Sequence, residues 1–130
     1  MAAFGRMLDI LDELRVKCPW DRKQTNESLR PNTIEETYEL CDALIKGDEH
    51  EVMKELGDVL FMAVNLARYF KIDPDAALSR VCAKFKARFQ LMEQMAAEEE
   101  QNGGAPLSGR SLEELDALWD RAKERLKTHQ

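Results

Sequence analysis

Positive charge is in short supply in this chain. Its 130 residues include 19 lysines and arginines against 25 aspartates and glutamates, which gives a formal net charge of -6. General binding to nucleic acid depends on basic patches that neutralise phosphates, so this balance argues against a nucleic-acid polymer as the partner. An anionic substrate would need help from a metal ion and from local Lys or Arg side chains.

Long apolar runs, signal-peptide features and a cysteine framework are also missing. No run is long enough to span a bilayer, and the first residues do not open a signal peptide, so we expect a cytoplasmic protein with no membrane partner. The three cysteines, Cys18, Cys41 and Cys82, are odd in number and widely spaced, which predicts reduced thiols. Neither of the two histidines, His50 and His129, is a convincing partner base for a cysteine nucleophile.

No segment has the pattern of a strand, whereas apolar residues recur at helical spacing through most of the chain. The sequence therefore predicts an all-α fold, an up-and-down bundle of four to five helices forming one domain over residues 1–130. Caps and breaks predict these helices: Phe4 to Val16, Pro31 to just before Gly47, Asp48 to about Phe70, Asp73 to about Gln101, and a last helix capped by Ser111.

Two acidic phrases carry the chemical signal. Glu36 and Glu39 lie three residues apart, as do Glu55 and Asp58, and that spacing places each pair on one face of a helix. The short turn at 47–48 makes the two helices antiparallel neighbours, so the four carboxylates should converge. Two like charges about 4 Å apart repel by about 4 kcal/mol at an effective dielectric of about 20, which favours a bound cation. An all-oxygen ligand set suits Mg²⁺ or Mn²⁺ better than zinc.

A solvated, charged face is the ordinary explanation of such spacing. It fits Glu35, which should face solvent. It fits Glu55 and Asp58 less well, because the helix that carries them is apolar almost all round and buried carboxylates are rarely left unpaired. That apolar surface exceeds what a small bundle can cover, so we also expect the helix to pack against a second copy of the chain.

The order of several phrases carries a family resemblance over nearly the whole chain. The phrases are Cys18-Pro19-Trp20-Asp21, Gln24-Thr25, Ser28-Leu29-Arg30-Pro31, Glu35-Glu36-Thr37-Tyr38-Glu39, Glu55-Leu56-Gly57-Asp58, Asn65-Leu66-Ala67-Arg68, Lys84-Phe85-Lys86-Ala87-Arg88-Phe89 and Leu118-Trp119-Asp120-Arg121-Ala122-Lys123. As a set they resemble the MazG-type nucleoside triphosphate pyrophosphohydrolases, here as a single module. The resemblance implies an all-α fold, a dimer or higher homo-oligomer, and Mg²⁺-dependent cleavage of a nucleoside triphosphate into the monophosphate and pyrophosphate.

The resemblance also implies roles for the acidic residues. Glu36, Glu39, Glu55 and Asp58 would hold Mg²⁺, with Mn²⁺ as a substitute, and so would be catalytic. Glu35 is the candidate for positioning or deprotonating the attacking water.

Substrate-binding roles follow for five further residues. Lys84 and Arg88 match residues that bind the triphosphate, although their spacing alone indicates only an exposed basic face. Trp20 resembles a base-stacking Trp, against the alternative of a loop residue that plugs the core. Trp119 is predicted either to contact the nucleotide or to pack. Asn65 could hydrogen-bond the sugar.

Two other classes of protein are alternatives. A di-iron carboxylate bundle needs Glu-x-x-His pairs, and the chain has none. A non-catalytic helical dimerisation or regulatory module with an acidic stripe remains open. The sequence leaves the preferred base and sugar undetermined.

Overall fold

The computed structural model describes residues 2–128, without the side chains of three of them, Ala2, Phe4 and Arg22, so the predicted tail residue His129 lies outside the described part. Within that range it contains no strand, which confirms the all-α prediction. None of its helices combines the length and apolar character that a membrane crossing needs. The helices are α1 (Ala2–Lys17), α2 (Pro19–Arg22), α3 (Asn26–Lys46), α4 (Glu49–Tyr69), α5 (Pro74–Gln101) and α6 (Leu112–Thr128), with a 3-10 turn at Leu107–Gly109.

The helices fall into two compact units that divide the chain between Pro74 and Asp75. The first unit contains α1 to α4, and the second contains α6 and all but the first residue of α5. The three cysteines are free, as the odd count predicts. The sequence-based expectation of one domain over the whole chain stays a prediction.

Helix α3 begins five residues earlier than expected. Thr25 and Ser28 cap each other: the Ser28 N–H donates to Thr25 Oγ1 at 3.2 Å, and the Thr25 N–H donates to Ser28 Oγ at 2.8 Å. This reciprocal cap satisfies the otherwise unpaired donors at the start of the helix, so Asn26 and not Pro31 is its first residue. Pro31 is accommodated inside the helix, at the cost of one backbone hydrogen bond.

The turn between α3 and α4 matches its prediction. Gly47 has φ 72°, a left-handed conformation that a side chain would disfavour, and its N–H donates to Ala43 O at 3.1 Å. Asp48 caps α4 because its Oδ1 accepts the N–H of His50 at 3.0 Å. These two residues fix the antiparallel register of α3 and α4, on which the positions of the acidic residues depend.

Helix α4 packs against α3 and α1, but it is less buried than its composition suggests. Val64 is the one residue of α4 that is buried, at 4% exposure, and it belongs to the unit's small core with Leu11, Leu29 and Ala43. An ion pair of 2.8 Å between Arg68 Nε and Asp12 Oδ1 ties α4 to α1. The chain itself therefore leaves much of α4 exposed, as expected from an apolar surface larger than a small bundle can cover.

Four apolar residues of α4 form an exposed stripe, the α4 stripe: Met53, Leu56, Leu60 and Ala63. The first three are 66%, 46% and 45% exposed. Their spacing of three and four residues puts them on one face, whose centre is about a third of a turn around the helix from Glu55 and about half a turn from Asp58. We propose this stripe as the surface that a second copy covers, because it is apolar, continuous and distant from the acidic face.

The second unit is a pair of helices with its own core. Met92, Met95 and Ala96 of α5 pack on Leu118 and Ala122 of α6. The break after Gln101 lies where the sequence predicts it, at Asn102-Gly103-Gly104. Ser111 caps the start of α6: its Oγ accepts the N–H of Glu114 at 3.2 Å, again as predicted.

Glu99 of α5 forms ion pairs with the segment before α6 and with α6 itself. Glu99 Oε2 lies 2.7 Å from Arg110 Nη1, and Glu99 Oε1 lies 2.6 Å from Arg121 Nη2. Arg110 also donates through Nε and Nη2 to Ala105 O at 3.1 and 3.0 Å. The hydrogen bonds from Arg121 and Arg110 hold the pKa of Glu99 below its ordinary value of 4.5.

We predict that Glu99→Gln destabilises the chain in a pH-dependent way. Because the folded pKa is the lower one, the stabilisation is fully present above pH 4.5 and is lost as pH falls through the folded value. Urea unfolding should therefore show a lower free energy for Glu99→Gln at about pH 7 and a smaller difference from wild type at about pH 3. The matched change Glu100→Gln, at an exposed neighbour, should have little effect; equal effects of both changes would contradict the assignment.

We predict that charging the α4 stripe separates a homodimer. Light scattering should give at least twice the chain mass for wild type and one chain mass for Leu60→Glu, because burying one Leu side chain contributes about 1.5 to 3 kcal/mol. Leu112→Glu, at an exposed leucine of α6, is the control and should keep the wild-type mass. A wild-type monomer would overturn the prediction. Val64 is unsuitable for this test, because its burial within the chain means that a charge there unfolds the unit.

Candidate functional site

Three of the predicted carboxylates converge across the α3–α4 hairpin. Glu36 and Glu39, one turn apart on α3, and Glu55 on α4 each offer a carboxylate oxygen, and these oxygens lie within 4.8 Å of one another. Glu36 and Glu55 are half-buried and Glu39 is exposed. The structure thus brings together three of the four carboxylates that the spacing predicted to converge, because the turn at Gly47 places the two helical faces opposite each other.

Burial and neighbouring negative charges oppose the ionisation of Glu36 and Glu39. Burial raises the pKa of Glu36 above its ordinary value, and the charges of Asp58, Glu55 and Glu35 raise it further. The pKa of Glu39 is also raised, first by loss of water around the carboxyl and then by Glu36, Glu55 and Glu35. A hydrogen bond with the Glu55 carboxyl acts in the same direction. The cluster is thus electrostatically unfavourable when fully ionised.

Two oxygens of this cluster have no partner in the part of the chain that the structure describes. They are Glu36 Oε2 and Glu55 Oε2, and both are inaccessible to solvent. A buried acceptor without a donor is costly, and a carboxylate oxygen can be satisfied by a cation as well as by a hydrogen bond. Orphaned oxygens, mutual repulsion and an all-oxygen donor set together fit a hard divalent cation such as Mg²⁺.

Asp58 and Glu35 lie at the edge of the cluster. Asp58, one turn after Glu55 on α4, is exposed and is not among the three residues whose oxygens lie within 4.8 Å of one another. Its charge nevertheless has the largest electrostatic effect on the pKa of Glu36, so it faces the same site. Glu35 is exposed, as predicted, and its charge also reaches Glu36 and Glu39.

Two of the residues predicted to bind the nucleotide lie in the same unit. Trp20, on α2, is 68% exposed and so does not plug the core of this chain. Asn65, on α4, is half-buried and lines a cavity of about 220 Å³. The stacking role of Trp20 and the sugar contact of Asn65 stay predictions.

The other three residues predicted to bind the substrate lie together in the second unit. Arg88 Cζ is 5.8 Å from the centroid of the Trp119 ring, and Lys84 Nζ is 5.4 Å from that of Phe85. The Phe85 and Trp119 rings are 5.6 Å apart. Two cations thus lie over two adjacent aromatic rings, an arrangement that can hold an anionic group beside a planar one. Trp119 is half-buried and packs on the core as well, so both of its predicted roles stay open.

Sequence reasoning missed most of the residues that line the cavity at Asn65. They include Asp21, which is buried, and the basic residues Arg15, Arg68 and Lys71. Asp21 belongs to a recognised phrase, but its spacing predicts nothing about burial. The basic residues come from distant parts of the sequence, and no local pattern connects them.

Comparison with known proteins identifies a family. The model of the MazG nucleotide pyrophosphohydrolase domain matches residues 24–91, which include all of α3 and α4. A crystal structure of a mazG-related protein from Thermotoga maritima is similar over 92% of this chain and 98% of that one, with a TM-score of 0.61 and 27% sequence identity.

Curated relatives share a part of their length with this chain. The protein YabN of Bacillus subtilis, described as uncharacterized, is 46% identical over 76 residues, which are 58% of this chain and 15% of YabN. The nucleoside triphosphate pyrophosphohydrolase of Escherichia coli K12 is 34% identical over 93 residues, 69% of this chain and 35% of that enzyme. The chain therefore spans about a third or less of either relative.

We predict that Glu39→Gln weakens Mg²⁺ binding without weakening the apo fold. In EDTA its melting temperature should equal or exceed that of wild type, because one of the repelling charges is gone. Millimolar Mg²⁺ without nucleotide should raise the melting temperature of wild type more than that of the variant, since a ligand stabilises the state that binds it. Glu93→Gln, an exposed change on α5, is the charge control. An identical Mg²⁺ response in Glu39→Gln and wild type would contradict the metal site.

Proposed function

Because the chain belongs to the MazG nucleotide pyrophosphohydrolase family, we propose that it hydrolyses a nucleoside triphosphate to the monophosphate and pyrophosphate. The observation that carries the proposal is the convergence of Glu36, Glu39 and Glu55 with two buried oxygens unpartnered among the described residues. A non-catalytic module has no need of such a cluster, which costs stability whenever it is fully ionised.

The acidic cluster is the proposed cation site of the enzyme. Glu36, Glu39 and Glu55 would hold Mg²⁺, with Asp58 as the fourth carboxylate and Mn²⁺ as a substitute ion. When bound, the cation supplies positive charge to the phosphate oxygens and makes a water more acidic. The carboxylates would hold the positive charge of the cation between α3 and α4.

The proposed reaction is a single in-line displacement. A water attacks the α-phosphorus, the bond to the bridging oxygen of pyrophosphate breaks, and no covalent intermediate with the protein is needed. Glu35 is the proposed group that positions the water or takes its proton, since its carboxylate is exposed beside the cluster. Its position one residue before Glu36 keeps it within the influence of the same charges.

Lys84 and Arg88 are the proposed ligands of the triphosphate. Negative charge accumulates on pyrophosphate as it leaves, and ammonium and guanidinium groups stabilise that charge. Trp119 lies against Arg88 and offers a face for the nucleotide, and Trp20 offers a second exposed indole. Asn65 is the proposed sugar contact.

We predict that the products identify the bond that is cut. With Mg²⁺ and a nucleoside triphosphate, the chain should release monophosphate and pyrophosphate in equal amounts, measured by ion-exchange chromatography without added pyrophosphatase. Asp58→Asn should lower kcat/KM by at least about tenfold at unchanged far-UV circular dichroism, because one charge that faces the cation is lost. Orthophosphate and diphosphate as first products would contradict cleavage at the α-phosphate, and binding of neither Mg²⁺ nor nucleotide would favour the regulatory module.

A further inference from the structure

The cavity at Asn65 is lined in part by a buried aspartate that the proposed reaction does not use. We propose that this residue, Asp21, reads the base of the substrate by accepting a hydrogen bond from an exocyclic amino group. The inference rests on the proposed function and adds a specificity-determining residue to it. It assigns to the chain a preference for amino-bearing bases over their keto counterparts.

The carboxylate of Asp21 lacks a partner of its own. Asp21 is 5% exposed, and its Oδ2 is buried with no hydrogen bond to any described residue. An ionised carboxylate only accepts hydrogen bonds, so the group that completes this site must be a donor. A buried acceptor of this kind is seldom left unsatisfied in a native protein.

Neighbouring polar groups are engaged elsewhere. Gln24 Nε2 donates to Trp20 O at 3.3 Å, and Gln24 Oε1 accepts from Ser28 Oγ at 2.9 Å. Arg15 Nη1 donates to the backbone oxygen of Asp21 at 3.4 Å and not to its side chain. Arg15 and two other cations that line the cavity balance the charge of Asp21 without supplying the missing hydrogen bond in the structure.

The size and surface of the cavity suit a single base. Its volume is about 220 Å³, and a cavity of about 150 Å³ already accommodates a benzene ring. Leu29 and Tyr69 contribute apolar surface, while Asn65 contributes an amide. A planar ring with a polar edge matches this combination, whereas a free phosphate would be placed beside the Asp21 carboxylate.

The cavity lies at the correct distance from the acidic cluster. Asn65 follows Asp58 by seven residues on α4, and Leu29 precedes Glu36 by seven residues on the antiparallel α3. Seven residues are two helical turns, about 10 Å, so both helices place the cavity on the same groove as the carboxylates. A nucleotide whose α-phosphate is at the cluster can extend along this groove and present its base to Asp21.

Pairs of nucleotides that exchange an exocyclic amino group for an oxygen, and with it a neighbouring ring-nitrogen acceptor for an N–H donor, test the proposal. We would measure kcat/KM for CTP against UTP and for ATP against ITP, with wild type and Asp21→Asn. Wild type should prefer the amino member of at least one pair by about tenfold or more. The keto base loses the hydrogen bond to the charged Asp21 carboxylate and places its own acceptor oxygen against that carboxylate. In Asp21→Asn that ratio should fall to about one or invert, since an amide can also donate.

The ratio within one preparation does not depend on the fraction of folded protein, so partial unfolding of the variant leaves the test valid. Asp9→Asn, at an exposed position of α1, is the control and should keep the wild-type ratio. Equal rates for both members of both pairs in wild type, or a ratio unchanged by Asp21→Asn, would overturn the proposal. If Asp21→Asn does not fold at all, the wild-type ratios decide.

A binding experiment separates this inference from the proposed reaction. Titration calorimetry of wild type in EDTA with CMP and UMP, and with AMP and IMP, examines the base alone. Tighter binding of the amino member with no hydrolysis of any triphosphate would support base reading and contradict the proposed function. Hydrolysis of triphosphates with equal binding of both members of each pair would support the proposed function and contradict base reading by Asp21.

Discussion

Repulsion among the carboxylates of the α3–α4 hairpin is the constraint on which the rest of the first unit depends. Glu36, Glu39 and Glu55 cannot all be ionised at low cost, as the raised pKa values of the first two indicate. The hairpin tolerates this because its stability comes from other sources, namely the cap at Thr25, the turn at Gly47 and the small core. In the proposed function a bound cation would relieve this repulsion.

The same hairpin carries both the acidic cluster and the cavity at Asn65. A helix repeats its face every seven residues, so a groove between two antiparallel helices repeats its chemistry at intervals of about 10 Å. The acidic cluster occupies one interval, and the cavity at Asn65 occupies the next. The register set by Gly47 and Asp48 therefore holds the acidic cluster and the cavity at a defined separation along the hairpin.

The second unit is stabilised in a different way from the first. Its core is small, and the ion pairs of Glu99 with Arg110 and Arg121 hold the loop and α6 against α5. This support leaves Lys84, Arg88 and Trp119 grouped on the surface of the helix pair. The cations of this unit thus fall into two groups. Arg110 and Arg121 pair with Glu99 and stabilise the fold, whereas Lys84 and Arg88 lie over aromatic rings.

Local chemistry of the sequence determined the helices, the turn at Gly47 and the facing of Glu36, Glu39 and Glu55, because periodicity and glycine conformation act over a few residues. It did not determine the start of α3, where the side chains of Thr25 and Ser28 overrode the proline signal. Only the tertiary structure decided which residues of α4 are left exposed and that Asp21 is buried. Burial depends on which helices arrive from distant parts of the chain, and hydrophobic contact is not directional, so no spacing within a segment encodes it.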